Sequence, residues 1–187
     1  MKNHLNKQKL VIAYTGTKSV LAKSFVESYY KDFIFKSYSG DITNHIKIEA
    51  WLKKNIDINI FINFAAITSP ARCEKNRKKA MDVNFKSVTR LLSLFDNIQM
   101  NNFSYFLSIS TSHVFKNSHL KLKENSIKKP INYYGKSKLY LENYIQKNNT
   151  KFKFKIGVAR IFNYYNEGYK KGFFINDIIE KLKEKKK

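Results

Sequence analysis

The sequence predicts an α/β protein built on a doubly wound parallel sheet, and three observations carry that prediction. Short apolar runs alternate with amphipathic, helix-length stretches along all 187 residues. One run, Ile58-Asn-Ile-Phe-Ile-Asn63, is β-branched in the manner of a strand buried on both faces. Regular alternation of strand and helix implies βαβ units, and right-handed crossovers then set helices on both sides of one sheet.

In chain order, Leu10–Tyr14 reads as the first strand and Val20–Tyr30 as the helix that follows. Phe33–Phe35 is a second strand, followed by a helix over Asn44–Lys54. After the third strand, Ile58–Asn63, a long helix runs from Cys73 to Asp96. Phe103–Ile109 and Phe152–Ile161 are the fourth and fifth strands, separated by a helix over Asn132–Lys147. A final helix is expected over Phe173–Lys185. There is no internal repeat and no linker rich in Pro, Gly or Ser, so residues 1–187 read as one domain. Ligands of such sheets bind beyond the carboxyl ends of the strands, so chemistry is sought in the turns found there.

Composition narrows the class. An apolar fraction of 43%, with 15 Phe and 12 Tyr, marks a globular chain. No apolar run reaches the ~18 residues of a membrane span, and the first ten residues lack the apolar stretch of a secretory signal. The single cysteine, Cys73, excludes an internal disulfide and fits a reducing compartment, so a cytoplasmic location is expected. A net charge of +22 raises nucleic-acid binding. Only 4 of the 36 basic residues are Arg, the side chain suited to bidentate phosphate and base contacts, and the Lys are spread over the chain. Nucleic-acid binding is therefore kept only as the less favoured alternative. His4, His45 and His119 have no metal-ligand spacing with Cys73, and no metal is expected. Trp51 reads as a packing residue, and Glu74 as a complement to its own helix dipole.

Two segments carry chemistry. Thr15-Gly16-Thr17-Lys18-Ser19-Val20-Leu21-Ala22 is a strand-to-helix turn, where backbone N–H groups and a helix N-terminus can meet an anion. Alone it is also an ordinary turn. Tyr134-Gly-Lys-Ser-Lys138 sets a phenol and an ammonium four residues apart on one helix face. A tyrosine titrates near ~10, and a nearby cation favours its phenolate. So placed, it can exchange a proton with a hydroxyl or carbonyl. The spacing is not specific: 12 Tyr and 32 Lys give about two such pairs by chance. The other, Tyr14/Lys18, crosses from a strand into a turn.

The surroundings of Tyr134 are specific. Pro130-Ile-Asn-Tyr-Tyr-Gly-Lys-Ser-Lys138 resembles the Pro-x-x-x-Tyr-Gly-x-Ser-Lys signature of extended short-chain dehydrogenases/reductases, the NAD-dependent epimerase/dehydratase type of protein. Upstream, Ser108-Ile-Ser-Thr111-Ser-His-Val114-Phe115 resembles that family's Ser-Ser/Thr-x-x-Val-Tyr/Phe strand end. Phe61-Ile-Asn-Phe-Ala65-Ala66 is similar to its His/Asn-x-Ala-Ala turn, and Val158-Ala-Arg-Ile-Phe-Asn163-Tyr-Tyr165 to its Leu-Arg-x-x-Asn-x-Tyr segment. The glycine turn matches less well. Gly16 keeps the first of three glycines, Ala22 replaces the last, and Ser19 stands in place of the middle one.

The resemblance implies a Rossmann-like NAD(P)-binding domain acting on a nucleotide-activated sugar, most like the dTDP-4-dehydrorhamnose reductases. It implies Tyr134 as acid/base, Lys138 as its tuning cation and ribose ligand, and Thr111 as the hydroxyl that orients the reacting oxygen. The cofactor would meet Gly16, Ser19, Ala22, Asp41 near the adenine, Ala65, Ala66 and Asn84. His113 and Asn163, with Thr111, would face the substrate. Lys36, near the end of the second strand where an acidic residue would grip a ribose hydroxyl, leans the choice toward NADP. A homodimer is compatible with this class. Family members run to about 300 residues with a C-terminal substrate lobe, so the chain is expected to be a fragment, a truncated product or a reduced homologue. The alternative is a degenerate homologue that binds cofactor without catalysis.

Overall fold

The computed structural model describes residues 9–163, together with Ile178 and Lys181. Five strands, β1 (Val11–Thr15), β2 (Ile34–Tyr38), β3 (Ile60–Asn63), β4 (Tyr105–Thr111) and β5 (Lys155–Ile161), form one sheet in the order β2-β1-β3-β4-β5. Every pairing is parallel. Chain direction across the sheet reverses at β1, which pairs with β2 on one side and β3 on the other. A crevice therefore opens between the ends of β1 and β3, the switch point where doubly wound folds bind ligands.

Both faces of the sheet are covered, as the apolar runs predict. Along β1, Ile12 faces Ala22 of helix α1 (Val20–Tyr29) with Ile62 and Phe64. Its neighbours Val11 and Ala13 point the other way, as strand geometry requires. There they join Ile48 and Leu52 of α2 (His45–Lys53), and Phe61 and Phe106 of the sheet. Val88, Leu91 and Phe95 of the long-helix region and Leu141 of the last described helix complete this core. Each fully buried side chain of this size contributes on the order of 2 kcal/mol.

The expected long helix is instead four pieces. It starts earlier, at Pro70, because Ser69 caps it and Pro70 takes the first helical position. Helix α3 (Pro70–Lys75) then breaks at Asn76, whose extended backbone (φ −139, ψ 78) lets its side chain cap α4 (Arg77–Met81). A π-helical turn over Asp82–Lys86 precedes α5 (Ser87–Asn97). Apolar periodicity tolerates all of these breaks, so it did not reveal them. Strand β4 runs on to Thr111, two residues past the expected end. Strand β5 starts three residues late because Phe152–Phe154, after a 3₁₀ turn over Asn149–Lys151, forms a bend. Helix α6 (Tyr133–Asn148) matches its expected span to within a residue at each end. The expected helix Phe173–Lys185 lies outside the described residues except for Ile178 and Lys181, both helical. Among the described residues no helix is long and apolar enough to cross a membrane.

Candidate active site

The crevice between β1 and β3 is built from backbone. Gly16 follows β1 at φ +74, and a Cβ there would lie 2.7 Å from the backbone of Phe64 and Ala65. The surviving glycine thus serves both the left-handed turn and its close seat on the turn after β3. Two buried polar side chains fasten these turns together. Thr15 Oγ1 donates to Asn63 Oδ1 at 2.6 Å and accepts from the Ala65 N–H at 3.3 Å. Sequence reasoning missed both as positioning residues, although each is a polar residue closing an apolar strand. Ala65, whose backbone meets Gly16, and Ala66 after it are both half-buried.

Ser19 needs no glycine-like backbone, with φ −70 and ψ 133. It caps α1, its Oγ accepting from the Ala22 N–H at 3.5 Å, the outer limit of a hydrogen bond. Among the described residues the Val20 and Leu21 N–H groups have no backbone acceptor. A helix N-terminus with orphan donors at the switch point fits an anionic group such as a pyrophosphate. Ala22 is fully buried against the sheet, where a larger side chain would push α1 away.

Around the crevice, two expected cofactor contacts fare differently. Asp41 lies just beyond β2, its Oδ1 accepting from the backbone and hydroxyl of Thr43. Those bonds hold its carboxyl below the usual range. It borders a cleft of ≈ 450 Å³ with Val83 and Arg90. Lys36 is a correction. It sits in the middle of β2, level with Ala13, and its ammonium pairs with Asp57 at 2.7 Å. Asp57 precedes β3, at the end of the sheet opposite the crevice. The lean toward NADP loses its basis.

The second half of the site, where β4 meets α6, is built from side chains. Thr111, Tyr134 and Lys138 are each less than a tenth exposed. Gly135 makes the approach possible, since a Cβ there would lie 2.2 Å from the His113 carbonyl oxygen. The Lys138 ammonium, one turn along α6 from Tyr134, donates to the Ile109 carbonyl of β4 at 2.8 Å. Burial pushes its pKa down to about 8, against the opposing pull of Cys73 and Glu142. Thr111 Oγ1 accepts from the His113 N–H at 3.2 Å. The His113 ring packs edge-on to that of Tyr134, 5.6 Å between centroids. The three expected residues therefore share one junction.

Two residues outside the expected set, Asn132 and Glu74, hold this junction together with Asn84, which was expected at the cofactor. Asn132 caps α6 through the Gly135 N–H (2.8 Å), and its amide reaches His113 Nδ1 at 2.9 Å. Glu74 accepts from the Tyr133 N–H at 2.7 Å, so it caps α6 from α3. That corrects the dipole reading, for Glu74 lies in the last turn of a six-residue helix. Asn84, on the π-helical turn, donates to Ile67 O and to Ser137 Oγ, both at 3.0 Å, and accepts from the Ile67 N–H. Both its donors are held by protein, which makes it a tie between the turn after β3 and α6. Such π-helical turns recur at functional sites.

One turn beyond Lys138, Glu142 is buried in a charged knot. Arg160 of β5 grips its carboxylate at 2.9–3.1 Å, Ser110 donates at 2.6 Å, and Lys128 lies at 3.4 Å. Burial alone would raise the Glu142 pKa, but the Arg160 and Ser110 hydrogen bonds and the two cations outweigh it and lower it. The i+4 spacing from Lys138 is the signal that could have found Glu142. Cys73 is buried, donating to the Ile67 carbonyl, and burial pushes its thiol pKa up. Trp51 packs edge-on against Tyr38, as expected.

A cleft of ≈ 530 Å³ adjoins the junction, lined in part by Ser112, His113, Lys116, His119, Asn132 and Phe162. His113, expected to face the substrate, is part of this lining. Asn163 is exposed and is not part of that lining. Tyr165 lies outside the described residues.

Sheet order, crevice and Tyr–Lys helix together define a doubly wound domain of the dinucleotide-fold class. The chain belongs to the NAD dependent epimerase/dehydratase family, whose sequence profile matches residues 5–187. A UDP-glucose 4-epimerase from Streptococcus mutans is 27% identical over 129 residues, 68% of this chain and 38% of that protein. In fold, the chain is similar to the dTDP-4-dehydrorhamnose reductase of Bacillus anthracis solved with NADP, at a TM-score of 0.79 and 22% identity. That match covers 95% of this chain and 61% of the reductase. A UDP-N-acetylglucosamine 4-epimerase from Methanobrevibacter ruminantium, in complex with UDP-N-acetylmuramic acid, gives a TM-score of 0.79 at 17% identity. There the coverage is 95% of this chain and 64% of the epimerase. The chain thus spans less than two thirds of the length of each of these relatives.

Proposed function

We propose that this chain carries the cofactor-binding and proton-transfer parts of an NAD(P)-dependent enzyme acting on a nucleotide-activated sugar. One observation carries the reading. A buried lysine ammonium, anchored on β4, stands one helical turn from Tyr134 at the strand end that holds Thr111. When bound, the nicotinamide cofactor supplies or accepts the hydride. The orphan N–H groups of Val20 and Leu21 and the turn at Gly16 would hold its pyrophosphate, with Ala65 and Ala66 alongside. Asp41 would meet the adenine. Either NAD or NADP satisfies this reading, since Lys36 is paired with Asp57 at the opposite end of the sheet.

The chain's own groups handle the proton. Tyr134 gives a proton to a sugar carbonyl oxygen, or takes one from the corresponding hydroxyl. The Lys138 cation favours the Tyr134 phenolate, which is left after the first of these steps and begins the second. Its single described hydrogen bond to the Ile109 carbonyl uses one of three ammonium protons, leaving donors for a ribose. Thr111 hydrogen-bonds the reacting oxygen, sharing charge as it develops. Asn84 and Asn132 fix α6 so that these groups keep their positions. Assembly as a homodimer and a cytoplasmic location belong to the same reading.

The test is consumption of NADH or NADPH with a 4-keto nucleotide sugar, by wild type and by Tyr134→Phe. The variant should be slower by ~10²–10⁴-fold, the usual worth of a general acid/base. Equal rates would refute the assignment. A second reading, cofactor binding without turnover, is favoured by the serine-capped glycine turn. It predicts that wild type binds cofactor and consumes none with any keto sugar offered.

A further inference from the structure

We propose that His113 donates a hydrogen bond from Nε2 to an oxyanion of the substrate, so that the cleft beside Tyr134 selects an anionic group. This inference rests on the nucleotide-sugar reading and names a recognition element that reading leaves open.

The proton on His113 is fixed by its neighbour. Asn132 Oδ1 accepts from the Gly135 N–H at 2.8 Å, so the amide nitrogen of Asn132 must face His113 Nδ1, at 2.9 Å. An amide NH₂ only donates, so Nδ1 accepts and the neutral ring carries its proton on Nε2. The rest of the residue is equally constrained. Its N–H donates to Thr111 Oγ1, its carbonyl packs on Gly135, and its ring lies edge-on to Tyr134. A solvated surface histidine needs none of these restraints, yet His113 is exposed.

Nε2 has no partner among the described residues, and His113 lines the ≈ 530 Å³ cleft. Lys116 and His119 line the same cleft, and among the described residues no Asp or Glu does. A neutral sugar hydroxyl would require no such charge bias. Donors and cations of one sign in a walled cleft favour an oxyanion. Two parts of a nucleotide sugar could supply it: a carboxylate on the sugar ring, or the pyrophosphate.

Calorimetric titration of the full chain with UDP, UDP-glucose and UDP-glucuronic acid tests the proposal, using wild type, His113→Phe and His113→Gln. His113→Phe should bind UDP-glucuronic acid ~10-fold or more weakly, the scale of one hydrogen bond to a charged group. His113→Gln, which keeps a side-chain donor, should recover part of that loss. A loss confined to UDP-glucuronic acid assigns the oxyanion to a sugar carboxylate, and an equal loss for all three assigns it to the pyrophosphate. Unchanged affinity of His113→Phe for all three overturns the inference while leaving the nucleotide-sugar reading in place. Failure of wild type to bind any of the three refutes both. Long-range ¹H–¹⁵N correlations of the His113 ring give an independent check, since a proton on Nδ1 also overturns the proposal.

Discussion

The turn after β1 and the junction of β4 with α6 lie at the same carboxyl end of one sheet, yet they are held by different means. The turn is a backbone device. Gly16 has no side chain because none fits, and Ser19 caps a helix with one long hydrogen bond. The junction is a side-chain device, cross-linked by Asn84, Asn132, Glu74, Lys138 and Glu142. Substitution of two family glycines leaves the first intact in outline, because backbone N–H groups survive a change of side chain. The second tolerates no such drift, since each link there is a particular functional group.

The contrast should appear in stability measurements. Arg160→Met strips Glu142 of its main counter-charge and leaves a buried carboxylate with Lys128 and Ser110. Breaking a buried pair from one side costs about 3–5 kcal/mol, to be read in urea unfolding. A loss under ~1 kcal/mol would mean that the knot is no more than a surface ion pair.

Lys138 gives a pH signature. Its folded pKa of about 8 lies below that of the unfolded chain, near ~10.4. Below pH ~8 the buried charge exerts its full penalty. Between pH ~8 and ~10.4 the unfolded state holds more protons, so stability rises with pH. Lys138→Met lacks this penalty. It should be more stable than wild type near neutrality by up to ~3 kcal/mol, and the gap should narrow across that window. A constant gap would mean that Lys138 titrates like an exposed lysine.

Glycine substitutions come next in size. Gly135→Ala drives a methyl into the His113 carbonyl, an overpacking that costs about 1–3 kcal/mol and outweighs alanine's better helix propensity. Gly16→Ala adds the left-handed penalty of ~1–2 kcal/mol to a similar collision. A neutral or stabilising Gly135→Ala would show that α6 can shift away from β4. Smallest of all, Ser19→Gly should change stability by only a few tenths of a kcal/mol. It should leave cofactor affinity within a few-fold of wild type if Val20 and Leu21 supply the binding donors.

Much of this was legible in the sequence, and the reasons are physical. Buried strands such as Ile60–Asn63 announce themselves by composition, and the motif around Tyr134 fixes a strand end and a helix start by its residue types. Local patterns did not reveal what depends on long-range partners. Glu74 reads as a helix-dipole residue until α3 is seen to end beside Tyr133, and Lys36 as a phosphate ligand until Asp57 is seen beneath it. Thr15 and Asn63 are unremarkable singly and become a buried pair only through strand pairing at a separation of 48 residues. The breaks at Asn76 and over Asp82–Lys86 hide because their apolar residues keep helical spacing.

The central claim is that the altered glycine turn still binds a dinucleotide while the β4–α6 junction works apart from it. Fluorescence titration of NADH and NADPH into wild type and Tyr134→Phe tests this most directly. Saturable binding of at least one dinucleotide is predicted, with the same affinity in both proteins. No binding by wild type would contradict the account, as would loss of binding in Tyr134→Phe.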